Sequence, residues 1–443
     1  MAMRAPRHRT GFAVLLLLAA VCAPAAWSQS GDWMEVSRAG LRAADASRFE
    51  EAERLFRDAL RISEPFPADD PRRATSVNNL GYVLHARGRY DEAEPHYREA
   101  LTLREAALGA DHPDVAQSCN NLAELYRMQG RHADAEALHK RALAIREKQL
   151  GAVHPEVAQT LNNLGVLYAA QGRLEEAEPL YQRALGIRIA SFGQDHLTVA
   201  ETRNNLAALY AAQGRYDDAR PLYERALAIE ETQLGAAHPS LATTLSNLGE
   251  LHRAQNRLEQ AIALHRRALT VRERTLGPDH PETAQSLNNL AVAHFEHADY
   301  EEAEQLYKRS IAIKEAQLGS THPEVALTLN NLAELYRSQR RFDEAEPLYT
   351  RALSIDQEVL GADHPSLALG LNNLALMHYD QGAYVKAEEL LGRALAIEEG
   401  AFGRDDPALI TTLENYAAVL RELRRGAEAE ELDARARSLR AQL

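Results

Sequence analysis

Carboxamides are the groups this sequence repeats most regularly. Asn79, Asn121, Asn163, Asn205, Asn247, Asn289, Asn331, Asn373 and Asn415 follow one another at intervals of 42 residues, with no insertion or deletion. Most have a second asparagine just before them: Asn78, Asn120, Asn162, Asn204, Asn288, Asn330 and Asn372. A carboxamide offers both donors and an acceptor, so it can bond a peptide unit whatever side chain that unit carries. One polar group repeated at one position makes a row along a surface. A catalytic site is one constellation, and no such constellation stands out from the repeats.

Other reactive residue types are absorbed by the same periodicity. His112, His154, His196, His238, His280, His322 and His364 occur once per unit, mostly before proline. A metal needs ligands that converge, such as two histidines four apart on one helix. Residues 42 apart do not converge, and the His-Pro pairs read as helix-entry packing. Glu175 and Glu176 are surface residues at a helix start. There is no glycine-rich phosphate loop and no Ser/His/Asp or Cys/His set outside the repeat pattern, so neither an enzyme nor a cofactor is expected. Of the two cysteines, Cys119 takes a position that is leucine in other units, which suits a small core residue. The net charge is −14, with no basic tail or basic aromatic patch, which argues against nucleic acid as a partner.

A fixed period in this range means stacked supersecondary units. Pro155 to Gly193 serves as the type unit. Leu161, Leu164, Gly165 and Tyr168 form one helical stripe. Pro155 suits the first helical position, and Gly172 ends the helix. A second helix from about residue 174 to 191 buries Ala177, Tyr181, Ala184 and Ile187. Pro179 is expected near its first turn, where early N–H groups lack intrahelical acceptors. One unit cannot cover both its faces, so stacking must complete the core. The array should be all-α, with ten antiparallel helix pairs over 32–441, near 32–62, 71–108, 113–150, 155–192, 197–234, 239–276, 281–318, 323–360, 365–402 and 407–441.

Residues 1–28 differ. A basic start with Arg4, Arg7 and Arg9 precedes an apolar run from Gly11 to Val21, then Ala23, Ala25, Ala26 and Ser28. That is the plan of a secretory signal, with cleavage expected near Ala26 or Ser28. The expected location is periplasmic or secreted, in a bacterial setting, with no membrane span after cleavage.

Leu161, Leu164, Gly165, Tyr168, Ala177, Tyr181 and Ala184 resemble the tetratricopeptide repeat consensus. The 42-residue period, with Leu-Gly-x-x-His-Pro between units and Leu-Asn-Asn-Leu opening them, is similar to the kinesin light chain subtype. The resemblance implies a right-handed superhelix whose first helices line a concave groove. It also implies that the ladder asparagines face that groove and bond the backbone of an extended peptide. Bonding between neighbouring helices explains the same repetition equally well. Asn162 and Asn204 would belong to a second rail. Val166, Ala169 and Ala208 would form a small apolar floor, flanked by Arg127, Arg253 and Arg337. Glu124, Glu250 and Glu334 precede those arginines by three residues and can pair with them locally. The function expected is a non-catalytic protein- or peptide-binding scaffold. The alternative is a spacer or self-associating solenoid without a dedicated ligand.

Overall fold

The computed structural model describes residues 26–46, 48–67 and 69–442, with side chains from residue 31 onward. The expected export segment lies almost wholly outside the described residues. Twenty α-helices follow, as ten successive pairs. They are α1 Ala26–Asp45 with α2 Phe49–Ser63, α3 Pro71–Ala86 with α4 Tyr90–Leu108, α5 Pro113–Met128 with α6 His132–Leu150, α7 Pro155–Ala170 with α8 Leu174–Phe192, and α9 Leu197–Ala212 with α10 Tyr216–Leu234. Then come α11 Ser240–Ala254 with α12 Leu258–Leu276, α13 Pro281–Glu296 with α14 Tyr300–Leu318, α15 Pro323–Ser338 with α16 Phe342–Leu360, α17 Leu367–Asp380 with α18 Tyr384–Phe402, and α19 Ile410–Glu422 with α20 Gly426–Arg440. No strand occurs among the described residues. Contacts divide the chain into two units, 1–233 and 234–443.

The histidines do more at the helix entries than pack. His154 Nδ1 accepts a hydrogen bond from the backbone N–H of Glu156 at 3.3 Å, and Pro155 fills the next position, where no N–H partner is needed. The same bond forms at His112, His196, His238, His280, His322 and His364, and Asp70 and Asp406 supply it where histidine is absent. The turn after the first helix of the second to tenth pairs requires a positive φ. Gly172 supplies it at 75°, yet Asn256, Ala298, Arg340 and Arg424 hold it at 58–66° in their units. Pro179 departs from expectation. It is the sixth residue of α8, beyond the unpaired first turn, so the helix forgoes one bond. Pro179 and Glu175 are both exposed, so water can serve the freed carbonyl.

Packing within a pair depends on a small residue opposite a ring. A Cβ on Gly165 would lie 2.8 Å from the Tyr181 ring. Between pairs, charged side chains act as clamps. Arg173 stacks 3.9 Å over Tyr168 and bonds both Glu136 of the preceding pair and Glu176 of its own. Tyr168 Oη donates to the same Glu136 at 2.9 Å. Arg173 and Lys140 hold the Glu136 carboxyl down to about 2, outweighing a smaller burial effect. Arg131, Arg215 and Arg341 repeat this clamp.

A second row lies deeper. Arg146, fully buried, donates to Glu156 O at 2.9 Å, Thr160 Oγ1 at 2.8 Å and Gln117 Oε1 at 2.8 Å. Arg188 and Lys314 repeat the bonds to the following helix entry. Acids replace the base at Asp356 and Glu398, whose pKa values burial raises.

Candidate functional site

Within each unit the first helices of successive pairs touch directly: α3, α5, α7 and α9 in one, α11, α13, α15, α17 and α19 in the other. The ladder asparagines lie along these contacts. Asn79, Asn121, Asn163 and Asn205 are 2, 8, 6 and 4% exposed, whereas Asn247, Asn289, Asn331 and Asn373 are half-buried. Of the preceding asparagines, Asn78, Asn120, Asn162, Asn204, Asn288 and Asn372 are buried, and Asn330 is half-buried.

Many rungs bond along the array. Asn121 Nδ2 donates to Asn78 Oδ1 at 2.8 Å, and Asn205 to Asn162, Asn331 to Asn288 and Asn415 to Asn372 at 3.0 Å each. The second rail thus accepts from the next repeat's rung. Asn204 and Asn247 are also engaged. Gln117 and Gln285 donate to the oxygens of Asn121 and Asn289 from one turn earlier.

Asn163, Asn289 and Asn373 lack the inter-repeat bond among the described residues, and for the first two a local difference is visible. Asn120 Oδ1, the acceptor Asn163 would use, meets His139 Nδ1 at 2.8 Å instead. Ser246 replaces the asparagine that would serve Asn289 and cannot reach as far. Asn330 Oδ1 is buried and accepts no bond from Asn373.

Each open rung follows a repeat with a Glu-Arg pair on its first helix. Arg127 bonds Glu124 through Nε at 2.9 Å and Nη2 at 2.5 Å. Arg253 bonds Glu250 at 2.9 Å and reaches Glu296 of the next pair with Nη1 at 2.5 Å. Arg337 bonds Glu334 at 2.8 and 2.7 Å and reaches Asp380 with Nη1. Behind these acids stand groups from the second helices: His265 Nε2 lies 3.2 Å from Glu250, and Tyr349 Oη donates to Glu334 at 2.8 Å. Burial works against the Glu124 charge, but Arg127 outweighs it and holds the carboxyl below its usual range. The arginines flanking the strip are therefore ion-paired, as their spacing indicated.

The apolar floor is open to solvent. Val166, Ala169 and Ala208 are partly exposed beside Asn163 and Asn205, and Ala170 and Ala212 are exposed. Sequence reasoning missed Gln117, His139 and the Arg146 row. The signal for His139 was present: histidine replaces tyrosine there and at 265, both times in a repeat with a Glu-Arg pair.

A family model described as tetratricopeptide repeat matches residues 35–106, 72–148, 119–190, 156–232, 198–274, 240–316, 324–399 and 366–442. The chain belongs to the tetratricopeptide repeat family. Among solved structures, it is similar to BtubC (BKLC) from P. vanneervenii, with 27% identity over 56% of this chain and 93% of that one, and a TM-score of 0.42. A Podosopora anserina putative kinesin light chain with nearly identical TPR-like repeats is 26% identical over 47% of this chain and 98% of that one, with a TM-score of 0.42. A Signal Transduction ATPase with Numerous Domains protein with a tetratricopeptide repeat sensor, from Pyrococcus horikoshii, reaches a TM-score of 0.58 at 12% identity, over 85% of this chain and 54% of that one. That likeness is one of fold. No curated protein sequence matches the chain.

Proposed function

We propose that this tetratricopeptide repeat protein is a non-catalytic scaffold that holds an extended peptide segment of a partner protein against its first-helix strip. The observation that carries this reading is the set of open rungs, Asn163, Asn289 and Asn373, whose amide donors are not taken by the preceding repeat. Beside Asn163 lies the small floor of Val166 and Ala169, which admits a close backbone. An amide with a free donor bonds a main-chain carbonyl without regard to sequence. Export by residues 1–28 would place this activity outside the cytoplasm.

The test separates open rungs from bonded ones. Asn163, Asn289 and Asn373 changed together to Ala should weaken binding of peptides selected on the wild-type protein. At about 0.5–1.5 kcal/mol per lost bond, affinity should fall by roughly one to three decades, with little change in melting. Changing Asn121, Asn205 and Asn331 to Ala should instead lower the melting temperature. Full binding by the first triple variant would reject the groove. A protein that selects no peptide and assembles end to end would be a spacer.

A further inference from the structure

Building on the peptide-binding reading, we propose that the second unit seats a lysine or arginine side chain of the bound segment between Leu327 and Leu369, with its cation at Asp356. Three other repeats show what this place holds. Arg146 lies between two first helices. It donates to Gln117 Oε1 of its own pair at 2.8 Å, and to Gln159 Oε1 and Thr160 Oγ1 of the next at 3.4 and 2.8 Å. Arg188 bonds Thr202 in the same way, and Lys314 bonds Thr328. Each of these bases also donates to the carbonyl at the next helix entry, that of Glu156, Thr198 or Glu324. Lys314 lies 3.3 Å from the Glu324 carboxylate as well. In these repeats the place is filled by an ammonium or guanidinium held among carbonyl, hydroxyl and carboxylate oxygens.

The eighth pair keeps the place and changes its residues. Asp356 on α16 takes the position of Arg146, Leu327 and Leu369 take those of Gln117 and Gln159, and Gly370 takes that of Thr160. An ionised carboxylate has no proton to give, so the carbonyl of Ser366, equivalent to that of Glu156, loses its donor. With Gly370 in place of threonine, Asp356 lacks a hydroxyl too. Among the described residues no hydrogen bond or ion pair reaches it, and burial alone acts on its carboxyl, raising its pKa. Glu398 repeats the acid one pair later but has Thr412 for a partner. Aspartate is also shorter than the arginine it replaces, which leaves room for a side chain from outside. Leu327 and Leu369 are 41 and 69% exposed, although both are large and apolar. A lysine or arginine covers such surface with its aliphatic stem while its charged end reaches on to a polar partner. An acid flanked by apolar surface is the complement of that side chain. The place also adjoins an open rung. Asn373 follows Leu369 by four residues, one turn on along α17. Leucine cannot make the bond that Gln285 gives Asn289 from the same position. A main chain bonded at Asn373 therefore brings its side chains within reach of Leu369 and Asp356.

The experiment uses the full chain and a synthetic array of acetylated heptapeptides with C-terminal amides. Retained peptides should carry Lys or Arg at one register. Norleucine at that register keeps the stem and drops the charge, and it should lower binding about tenfold or more. Asp356→Arg puts the chain's own base back into the place and should lower binding of the selected peptides to the same degree, while melting no lower than the wild type. Asp356→Asn keeps the shape and should lose the preference for a base, and it decides the case if the arginine variant fails to fold. Leu369→Gln, which removes the surface under the stem, should also weaken binding. Glu358→Arg alters an exposed acid on the same helix and changes the net charge by as much as Asp356→Arg, yet it should bind as the wild type does. Selected peptides without a basic register, full binding by Asp356→Asn, or an equal loss in Glu358→Arg would overturn the seat while leaving the groove intact. Failure of the wild type to retain any peptide would overturn both.

Discussion

His139 and Asn120 are joined at 2.8 Å, and Asn163 of the next repeat, which would reach the same oxygen, makes no inter-repeat bond among the described residues. An amide oxygen only accepts, so His139 carries its proton on Nδ1. Asn120 gives its own amide to Thr160 at 3.0 Å. Asn163 is left without the acceptor that Asn205, two repeats after Asn121, finds in Asn162.

Replacing His139 with Tyr should therefore close a rung. Tyr223, Tyr307 and Tyr349 already pack opposite alanines equivalent to Ala123, so the ring fits. In a crystal structure of the variant, Asn163 Nδ2 should lie within bonding distance of Asn120 Oδ1. Stability should rise by about 1 kcal/mol for one new buried bond, and peptides selected on the wild type should bind less well. An unbonded Asn163 in that variant would reject the competition.

Buried histidines set a pH window. Burial pulls His139 down to about 4 and also lowers His85 and His378. In the unfolded chain histidine titrates near 6.5, so the unfolded state binds more protons between these values. Stability is then full above about 6.5 and falls as pH drops toward 4, by roughly 3 kcal/mol for His139 alone. Glu136 and Glu304, held at about 2 by their clamps, extend the loss at lower pH. Asp356 and Glu398, raised by burial, act in the opposite sense. Melting between pH 7.5 and 4 should show the decline, and His139→Tyr should flatten its upper part.

The helix-entry histidines are replaceable by known caps. His154→Ala should cost about 1 kcal/mol, as loss of an N-cap does, while His154→Asp should restore it. Asp70 and Asp406 already perform that role in this chain. Equal melting of the Ala and Asp variants would show that the ring only packs.

A buried arginine and an exposed one should differ in weight. Arg146→Ala removes a buried donor and leaves Glu156 O, Thr160 and Gln117 short of a partner, a loss of about 3 kcal/mol. Arg183 bonds Ala152 O and Glu147 at the exposed inter-repeat loop, and Arg183→Ala should cost less than about 1 kcal/mol. Thermal melts of the two variants measure the contrast.

Export is checked by mass. Expressed with its first 28 residues in a bacterial host, the chain should be recovered outside the cytoplasm, beginning between Ala26 and Gln29. Intact protein beginning at Met1 in soluble cytosol would contradict this.

The period and the helix pairs were legible in the sequence because they rest on local rules. His154-Pro155 starts a helix, Gly172 ends it, and Leu161, Leu164 and Tyr168 trace one apolar stripe. Each rule acts within a few residues and is repeated many times, so neighbouring units corroborate one another. Which asparagines are bonded could not be read that way. Asn121, Asn163 and Asn205 look alike in sequence, and they differ only because His139, on another helix, takes the acceptor that Tyr97 and Tyr181 leave free. The same holds for Asp356, whose place in the period is plain but whose lack of a partner is not. That lack becomes visible only when stacking brings Leu327, Leu369 and Gly370, rather than glutamine and threonine, around it. Local sequence specified the elements, and competition among side chains from different helices decided which polar groups remain available to a ligand.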